Sequence, residues 1–341
     1  MPSATDEIPR PLISVFMSAR NASAHLTLAV SSILKQSLAD FEFLVIDDAS
    51  DDNTWELLNS FNDPRLRLQR NETRQGQSAN YNRLVQLAKG RYLAKMDADD
   101  ISLSTRFHIQ VDYMEEHPEI WACSGVFKLL IGKDLYENDR VFEPDELRAS
   151  FLFRNNLAHP FMMLRGDIWR KYNILYDLKS PYAQDYELWL RLMMDHPEAA
   201  FANVSEIVGI YRHHAGSISV RKMEEQKICV TRAQMNVFKK LGLSPLDPDI
   251  KYHQHLYHLS PLDSAEELAG VFAWANTLRN ANSARQLFDP ALFDKYLKIY
   301  LFNLISSKPR HVNFYNTLKK AGLAALADWK TLPGHAQDAM P

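Results

Sequence analysis

Cysteine is almost absent from this chain of 341 residues, which contains only Cys123 and Cys229. Two cysteines are too few for a disulfide framework, and they lack the close spacing of metal-ligating cysteines. We interpret them as a pair of buried, reduced thiols and assign them no chemistry. The sequence therefore argues against a disulfide-rich scaffold and against a cysteine-based metal site.

Long apolar runs and an excess of either charge are also missing. No window holds about eighteen uncharged apolar residues, and the amino terminus has neither a basic region nor an apolar core. We therefore expect no signal peptide and a cytoplasmic protein. The 39 basic and 42 acidic residues give a formal net charge of −3, which offers no electrostatic footprint for sequence-independent nucleic-acid binding. We expect no nucleic-acid partner.

Glycine-rich phosphate-binding motifs are absent as well. The chain contains no G-x-G-x-x-G run and no P-loop, which argues against a dinucleotide fold and a P-loop nucleotidase. With 46% hydrophobic and 24% charged residues, the chain can bury a sizeable core. We expect one large domain with an extension, or two domains.

Three carboxylates stand together at residues 96–100, which read Met-Asp-Ala-Asp-Asp and follow a predicted strand over residues 91–95. Open α/β sheets bind ligands at the carboxyl ends of their strands. Close acids repel one another unless a cation or a hydrogen-bonding ligand shares their charge, and oxygen ligands suit Mg²⁺ or Mn²⁺. The alternative is an acidic turn that caps a helix. An EF-hand loop is excluded because Ser102 stands where it requires glycine.

A second acidic pair follows another predicted strand. Residues 41–46 form an apolar run that ends in Asp47 and Asp48, and a strand, a loop and a helix precede it over residues 12–34. Strands that alternate with helices predict a mostly parallel sheet with covered faces, so both acidic groups should lie on the same edge. Two such groups on one edge favour a ligand site over an acidic turn.

Several ordered motifs resemble the inverting glycosyltransferases of family 2, which have the nucleotide-diphospho-sugar transferase (GT-A) fold. The motifs that carry the resemblance are residues 12–21, 31–37, 41–52, 89–100, 158–160, 184–191 and 211–219. The resemblance implies an α/β GT-A domain, with a Rossmann-like, mostly parallel sheet covered by helices, over residues 10–220. A predominantly helical C-terminal extension is expected over residues 221–330.

The resemblance implies a nucleotide-binding role for several residues. Asp47 or Asp48 would accept a hydrogen bond from the base or the ribose, with Asp47 favoured for the base, and Asp97 would hold the ribose. Further nucleotide contacts are implied at Ala19, Asn21 and Gly76.

The resemblance also implies a Mn²⁺ or Mg²⁺ ion that bridges the two phosphates. Asp99, the last acid of the Asp-x-Asp pattern, would ligate it, whereas Asp100 would face away or cap the next helix. His214 is the second candidate ligand, although His213 beside it leaves two registers open. The ion would neutralise the charge that grows on the departing nucleoside diphosphate.

Asp185 is implied as the general base that takes the proton of the acceptor hydroxyl. It falls in or just before the first turn of a helix predicted from residue 184, where an acid can equally act as a cap. Residues two apart on a helix do not share a face, so Asp185 and Glu187 are not expected to meet the same acceptor. Glu187 is the second choice for the base. Gln184 stands where the family commonly has Glu.

Two more positions depart from the family pattern. Arg20 replaces an aromatic residue, which we expect to alter packing against the base. Tyr81 lies in Asn-Tyr-Asn at residues 80–82, where Ala-Arg-Asn is usual, and an arginine that could contact phosphate is lost. We expect Arg74 or Arg83 to compensate.

Residues 288–305 predict a helix dense in aromatic and aliphatic side chains, with Lys295 and Lys298 among them. Such a helix could lie in a membrane interface. The favoured alternative is that it packs against the catalytic domain or against a second subunit of a homodimer.

The sequence thus predicts a metal-dependent inverting glycosyltransferase. The donor is a nucleotide-diphosphate sugar, with a UDP-sugar favoured, and the acceptor is a glycan or a lipid-linked glycan of surface polysaccharide biosynthesis. A non-catalytic nucleotide-sugar-binding module is the alternative. A sugar-nucleotide pyrophosphorylase is disfavoured, because its glycine- and arginine-rich loop is missing near residues 12–21.

Overall fold

The computed structural model describes residues 10–138, 140–214, 216–217, 221–260, 262 and 264–306. The chain divides into two compact units. The first unit comprises residues up to Pro144 together with Leu157–Val230, and the second comprises Asp145–Asn156 together with the chain from Thr231. The second unit thus includes a segment from the middle of the chain. The sequence-based division at residue 220 assigned this segment to the catalytic domain instead. Residues 307–330 of the predicted extension lie outside the described residues.

The first unit contains a nine-stranded sheet in the order β3-β2-β1-β4-β8-β6-β9-β5, with β7 paired to β6. Its strands are β1 (Ile13–Ala19), β2 (Phe41–Asp47), β3 (Leu66–Arg70), β4 (Tyr92–Lys95), β5 (Ile101–Ser102), β6 (Ile120–Ile131), β7 (Asp134–Asn138), β8 (Met163–Arg165) and β9 (Ala200–His213).

Six of these nine strands point in one direction. The pairs β1–β2, β2–β3, β1–β4 and β6–β9 are parallel, whereas β8 runs antiparallel to both of its neighbours, β4 and β6. β5 and β7 also run antiparallel to their partners. The predicted mostly parallel sheet is confirmed, and β8 is the point at which the direction reverses.

Helices follow or separate most of the strands. They are α1 (Leu26–Leu34), α2 (Thr54–Asn59), α3 (Gln77–Leu87), α4 (Arg106–Glu116), α5 (Pro144–Ser150), α6 (Gly166–Lys171), α7 (Gln184–Asp195), α8 (Met223–Lys240), α9 (His253–His258), α10 (Ala265–Arg285) and α11 (Pro290–Ser306). The predicted helical C-terminal region is confirmed by α8 to α11.

The core of the first unit forms around β1 and β2, in which every residue is buried. The apolar stripe of α1 belongs to the same cluster, because Leu26, Ala29, Val30 and Ile33 recur at helical spacing and are all buried. A ligand can therefore reach the polar groups of these strands only at the strand ends.

The second unit is helical and has its own aromatic interior. The ring of Phe153, from the segment Asp145–Asn156, stacks on Tyr300 with centroids 5.6 Å apart and lies 5.3 Å from Phe293. Leu297 and Leu301 of α11 are buried as well. These side chains thus face the interior of this unit, whereas Leu292, Ile299, Phe302 and Ile305 are partly exposed. Membrane contact of residues 288–305 stays a prediction. Within the described ranges, no helix combines the length and the apolar character needed to cross a membrane.

Candidate active site

The carboxyl ends of the parallel strands meet at one edge of the sheet. Ala19 at the end of β1 lies opposite Asp47 at the end of β2, which in turn lies opposite Arg70 at the end of β3. Lys95 at the end of β4 pairs with Phe16. The acids at residues 47–48 and 97–100 therefore leave the sheet on the same side, as predicted.

The pairing of β5 with β9 brings His214 to this edge. Ile101 lies opposite Ile210, so the chain that follows β9 runs beside the acidic residues. The His214 ring nitrogen Nε2 lies 3.0 Å from Asp99 Oδ2, and each side chain is about one-third exposed. The two residues predicted to bind the metal are thus in direct contact, although 115 positions separate them along the chain.

The hydrogen bonds of His214 indicate the tautomer of its neutral ring. The backbone N–H of Gly216 donates to His214 Nδ1 at 3.1 Å, so in the neutral ring the proton sits on Nε2, which donates to Asp99. Metal ligation through Nε2 requires the opposite tautomer and the loss of the Gly216 hydrogen bond. Asp99 is therefore better prepared than His214 to bind a cation.

Asp100 turns away from Asp99 into the protein, where it is 1% exposed. Its Oδ1 accepts a hydrogen bond from the backbone N–H of Arg212 at 2.8 Å. Burial, reinforced by the charges of Asp99 and Asp97, raises the pKa of Asp100 well above its ordinary value. Asp100 thus faces away from the site, and the alternative that it caps the next helix is wrong, since α4 begins after Thr105 without a side-chain cap.

Asp97 is held by two neighbours that the sequence did not connect to it. Its Oδ1 accepts a hydrogen bond from the hydroxyl of Tyr81 at 3.1 Å and forms an ion pair with Lys95 Nζ. Tyr81, one of the departures from the family pattern, is fully buried, and burial together with the charge of Asp97 raises its pKa well above the ordinary value.

Asp47 and Asp48 have different surroundings. Asp47 is fully buried, accepts a hydrogen bond from the Ser50 hydroxyl and pairs with Arg70 Nε at 3.1 Å. Asp48 accepts hydrogen bonds from Asn71 Nδ2 at 2.8 Å and from the backbone N–H groups of residues 75 and 76 at 2.7 and 2.9 Å. Burial acts to raise the pKa of Asp48, but these hydrogen bonds outweigh it and lower the pKa. The Asp48 carboxylate thus anchors the loop between β3 and α3.

Gly76 belongs to this loop and has a φ of +89°, a conformation that L side chains rarely adopt. Its backbone N–H is one of the donors to Asp48, and the helix α3 begins at the next residue. A side chain at this position would strain the turn that presents the N–H group.

Arg20 and Asn21 tie the loop after β1 to the loop after β2. Arg20 Nη1 donates to the carbonyl oxygens of Asp48 and Ala49 at 2.7 and 2.6 Å. Asn21 Oδ1 accepts from the backbone N–H of Asp51 at 2.9 Å. The family's aromatic residue is therefore replaced by a side chain that binds backbone carbonyls rather than one that offers a stacking face.

Two cavities lie beside these loops, with volumes of about 430 and 500 Å³. Both are lined by Arg70, Asn71 and Glu72. Arg83, expected to compensate for the missing arginine, lines the first cavity and donates to Asn71 Oδ1 at 3.2 Å. Arg70 and Arg83 give the first cavity two cationic side chains, which suit an anionic ligand.

Asp185 lies in the first turn of α7 and is half-buried. The hydroxyl of Tyr176 lies 3.0 Å from His159 Nε2. Burial and the nearby charges of Asp185 and Asp97 raise the pKa of Tyr176 well above its ordinary value. The charges of Asp185, the predicted base, and of Asp97, the predicted ribose ligand, thus both affect the pKa of the buried Tyr176 hydroxyl. Gln184 Nε2 contacts Gln77 Oε1 at 3.3 Å, at the start of α3.

Glu187 has a structural partner instead of an open face. It is buried and forms an ion pair with Arg191, whose Nε lies 2.7 Å from Glu187 Oε1. Arg191 in turn donates to the carbonyl oxygen of Leu175 at 2.7 Å. These contacts occupy the carboxylate that the sequence offered as second choice for the base.

Sequence reasoning missed Lys95, Arg70 and His25 as members of this site. Lys95 carried a readable signal, because it is the one charged residue inside β4. Arg70 could have been placed by the parallel register of the strand ends. His25 offered no signal: its ring lies 5.0 Å from that of His214, and burial and the charge of Arg212 lower its pKa.

The fold and the acidic edge define a glycosyltransferase of the GT-A type, and comparison with known proteins agrees. The model of glycosyl transferase family 2 matches residues 14–172. Residues 14–172 thus carry a domain of glycosyl transferase family 2. The family resemblance found in the motifs is confirmed.

One curated relative is the UDP-Glc:α-D-GlcNAc-diphosphoundecaprenol β-1,3-glucosyltransferase WfaP of Escherichia coli. It is 29% identical over 235 residues, which span 68% of this chain and 87% of WfaP.

Among solved structures, residues 1–349 of S. aureus TarS in complex with UDP-GlcNAc are similar with a TM-score of 0.57 and 17% identity, over 93% of this chain and 91% of that one. The chain covers 52% of the longer TarS structure. The mannosyltransferase PcManGT from Pyrobaculum calidifontis, in complex with GDP-Man and Mn²⁺, has a TM-score of 0.50 and 16% identity, over 89% of this chain and 88% of that one. These structural likenesses show the GT-A fold.

Proposed function

We propose that this glycosyltransferase is a metal-dependent, inverting enzyme that moves a sugar from a UDP-sugar to a hydroxyl group of a lipid-linked glycan. The observation that carries the proposal is the direct contact of Asp99 with His214 on the edge where the β1, β2, β3 and β4 strands end. The same edge presents Asp97, and the charges of Asp97 and Asp185 both act to raise the pKa of Tyr176.

The nucleoside is proposed to bind beside the cavities lined by Arg70 and Asn71. Asp48 holds the loop that borders them, while Asp47 orients Arg70 from behind. We propose Asp48 as the direct partner of the base, because it holds the loop that borders the first cavity. Asp47 is proposed as a support, because it is fully buried and pairs with Arg70. Uridine fits this assignment, since its N3–H group can donate to a carboxylate.

A divalent ion is proposed to bind Asp99, with His214 as the second ligand once its ring has released the Gly216 hydrogen bond and changed tautomer. Their ligand atoms lie 3.0 Å apart and are partly exposed, although no group of three or more His, Cys, Asp or Glu side chains is placed to hold a metal among the residues that the structure describes. Mg²⁺ and Mn²⁺ sites in phosphate-transferring enzymes commonly take one or two protein ligands and complete their shell with phosphate oxygens and water. When bound, the ion neutralises negative charge on the diphosphate that leaves. PcManGT, described with GDP-Man and Mn²⁺, is a precedent for the fold.

Asp185 is proposed to take the proton of the acceptor hydroxyl. As that oxygen forms a bond with the anomeric carbon, the bond from this carbon to the phosphate oxygen breaks, which inverts the configuration. Asp185 is partly exposed at the helix start, where an incoming hydroxyl can reach it. Glu187 does not take this role, since Arg191 holds its carboxylate.

The lipid-linked acceptor is proposed from the relative WfaP, which is named for transfer to GlcNAc-diphosphoundecaprenol. The test is incubation with UDP-Glc or UDP-GlcNAc and a GlcNAc-diphospho-lipid, followed by mass spectrometry and by NMR of the anomeric proton. A β-linked product from an α-linked donor supports the proposal. A product that keeps the donor configuration contradicts inversion.

Donor binding is tested by calorimetry with UDP, GDP and dTDP, with and without Mn²⁺. We expect UDP to bind best, and Mn²⁺ to strengthen its binding to the native protein but not to Asp99→Ala. Asp134→Ala, which changes an exposed acid on β7, is the matched control and should behave as the native protein. Equal UDP affinity of Asp99→Ala with Mn²⁺ would contradict the metal site, and a preference for GDP would contradict the donor.

A further inference from the structure

Lys95 is a buried lysine behind the acidic cluster. Its side chain is 1% exposed, its Nζ contacts Asp97 Oδ1, and the Tyr81 ring centroid lies 5.3 Å from Nζ. Apart from this ion pair, Nζ has no hydrogen-bond partner among the described residues. Burying an ammonium group is strongly unfavourable unless a charge of opposite sign compensates it. The position of Lys95 therefore depends on the acids in front of it.

A second buried cation, Arg106, donates through Nη2 to the backbone oxygen of Lys95 at 2.9 Å. The three carboxylates thus have two positive charges behind them inside the protein, before any ligand arrives.

We propose that Lys95 is a positioning residue that fixes the carboxylate of Asp97 for the nucleotide and supplies a permanent positive charge to the diphosphate site. The inference rests on the proposed function, because it assumes that a nucleoside diphosphate binds in front of these acids. The ammonium group of Lys95 and the divalent ion would thus share the neutralisation of the diphosphate charge.

This role has a signature that loss of folding does not share. Without the ammonium group the acids attract a free cation more strongly and repel a diphosphate more strongly. Lys95→Met should therefore bind Mn²⁺ alone more tightly and UDP without metal more weakly. A structural defect would weaken both.

The experiment measures Mn²⁺ binding by electron paramagnetic resonance and UDP binding without metal by calorimetry. For Lys95→Met we expect UDP to bind about tenfold more weakly or worse and Mn²⁺ to bind severalfold more tightly, as the loss of one nearby charge implies. Lys89→Met, which removes an exposed lysine from the chain just before β4, is the matched control and should change neither.

Two further variants separate charge from hydrogen bonding. Tyr81→Phe removes the hydrogen bond to Asp97 and leaves the charge in place, so Mn²⁺ affinity should stay unchanged while UDP binding weakens. Lys95→Arg keeps the charge, so its Mn²⁺ affinity should stay as in the native protein. Thermal unfolding identifies a variant that does not fold, in which case Lys95→Gln takes the place of Lys95→Met.

Unchanged or weaker Mn²⁺ binding in the folded Lys95→Met or Lys95→Gln protein would overturn the inference. If the native protein binds no UDP, the proposed function fails instead. The measurement of Mn²⁺ alone still tests Lys95 in that case, because it needs only the acids and the ammonium group.

Discussion

The two compact units bury different kinds of polar side chain. The first unit buries ionisable side chains near its strand ends, among them Asp47, Lys95, Asp100 and Arg106. In the described part of the second unit, the buried polar residues are Ser150, Gln234, His253 and Asn282. Charged groups are costly to bury, so a protein retains them where they perform a task. The first unit thus carries the chemistry, whereas the buried polar residues of the second unit serve stability.

His253 shows how the second unit avoids buried charge. Its Nε2 lies 3.0 Å from the carbonyl oxygen of Leu152, to which it donates, and its Nδ1 accepts from Trp274 Nε1 at 3.2 Å. Both ring nitrogens are satisfied by the neutral form. The imidazole thus connects the segment Asp145–Asn156 to α9 and α10 without a charge.

The largest loss of activity is expected from a substitution of Asp185, the proposed base in the first unit. Asp185→Asn should lower kcat by roughly 10²- to 10⁴-fold, because the amide cannot take the acceptor proton. UDP affinity and the melting temperature should stay unchanged, since the substitution keeps the shape of the side chain. Asp195→Asn, at the exposed end of the same helix, is the control in steady-state assays. Full activity of Asp185→Asn would remove it from the mechanism.

Acid unfolding tests the second unit. Burial lowers the pKa of His253 from 6.5 to about 4, so the unfolded chain binds a proton below pH 6.5 that the folded chain does not. Stability from this residue is complete above pH 6.5 and is lost as the pH falls towards 4, by on the order of 3 kcal/mol.

Denaturant titrations between pH 7 and pH 4 measure this loss. His253→Gln should be less stable at neutral pH but should lose less stability on acidification than the native protein. His255→Gln, in the same helix, should keep the native pH dependence. Equal slopes for His253→Gln and the native protein would show that this imidazole does not govern acid unfolding.

A smaller effect is expected from Glu187→Gln, which could break the rule that buried charge in the first unit serves chemistry. Loss of the ion pair with Arg191, which is about one-third exposed, should lower the free energy of unfolding by roughly 1–3 kcal/mol. The kcat of the folded variant should stay near the native value. A kcat loss as large as that of Asp185→Asn would make Glu187 the base.

The smallest effect is expected from Arg20→Ala. Its guanidinium binds two backbone carbonyls and pairs with the exposed Asp51, and such a partly exposed contact contributes about 1 kcal/mol. We expect a severalfold loss of UDP affinity in calorimetry, because the loop after β2 loses support. Arg91→Ala, which removes an exposed ion pair with Glu115, is the comparison. Unchanged UDP affinity of Arg20→Ala would show that the loop after β2 keeps its conformation without this side chain.

Much of this architecture was readable from local pattern. The strands β1, β2 and β4 appeared as short apolar runs, and each ended in or just before polar residues. The direction of parallel strands then placed the acids on one edge, as the register of Ala19 with Asp47 shows. The ion pair of Glu187 with Arg191 was also readable, because Arg191 stands four residues further along the predicted helix, but sequence reasoning did not use it.

The sequence by itself determined the fold class, the family and the edge at which the acids leave the sheet, because hydrophobic periodicity and strand-end motifs are local properties. Only the tertiary structure decided that His214 meets Asp99, that Tyr81 and Lys95 hold Asp97, and that the chain around Phe153 joins the C-terminal helices. Apart from the pair of Lys95 with Asp97, these contacts join positions far apart along the chain. They depend on the order of strands and on packing, which no local pattern encodes.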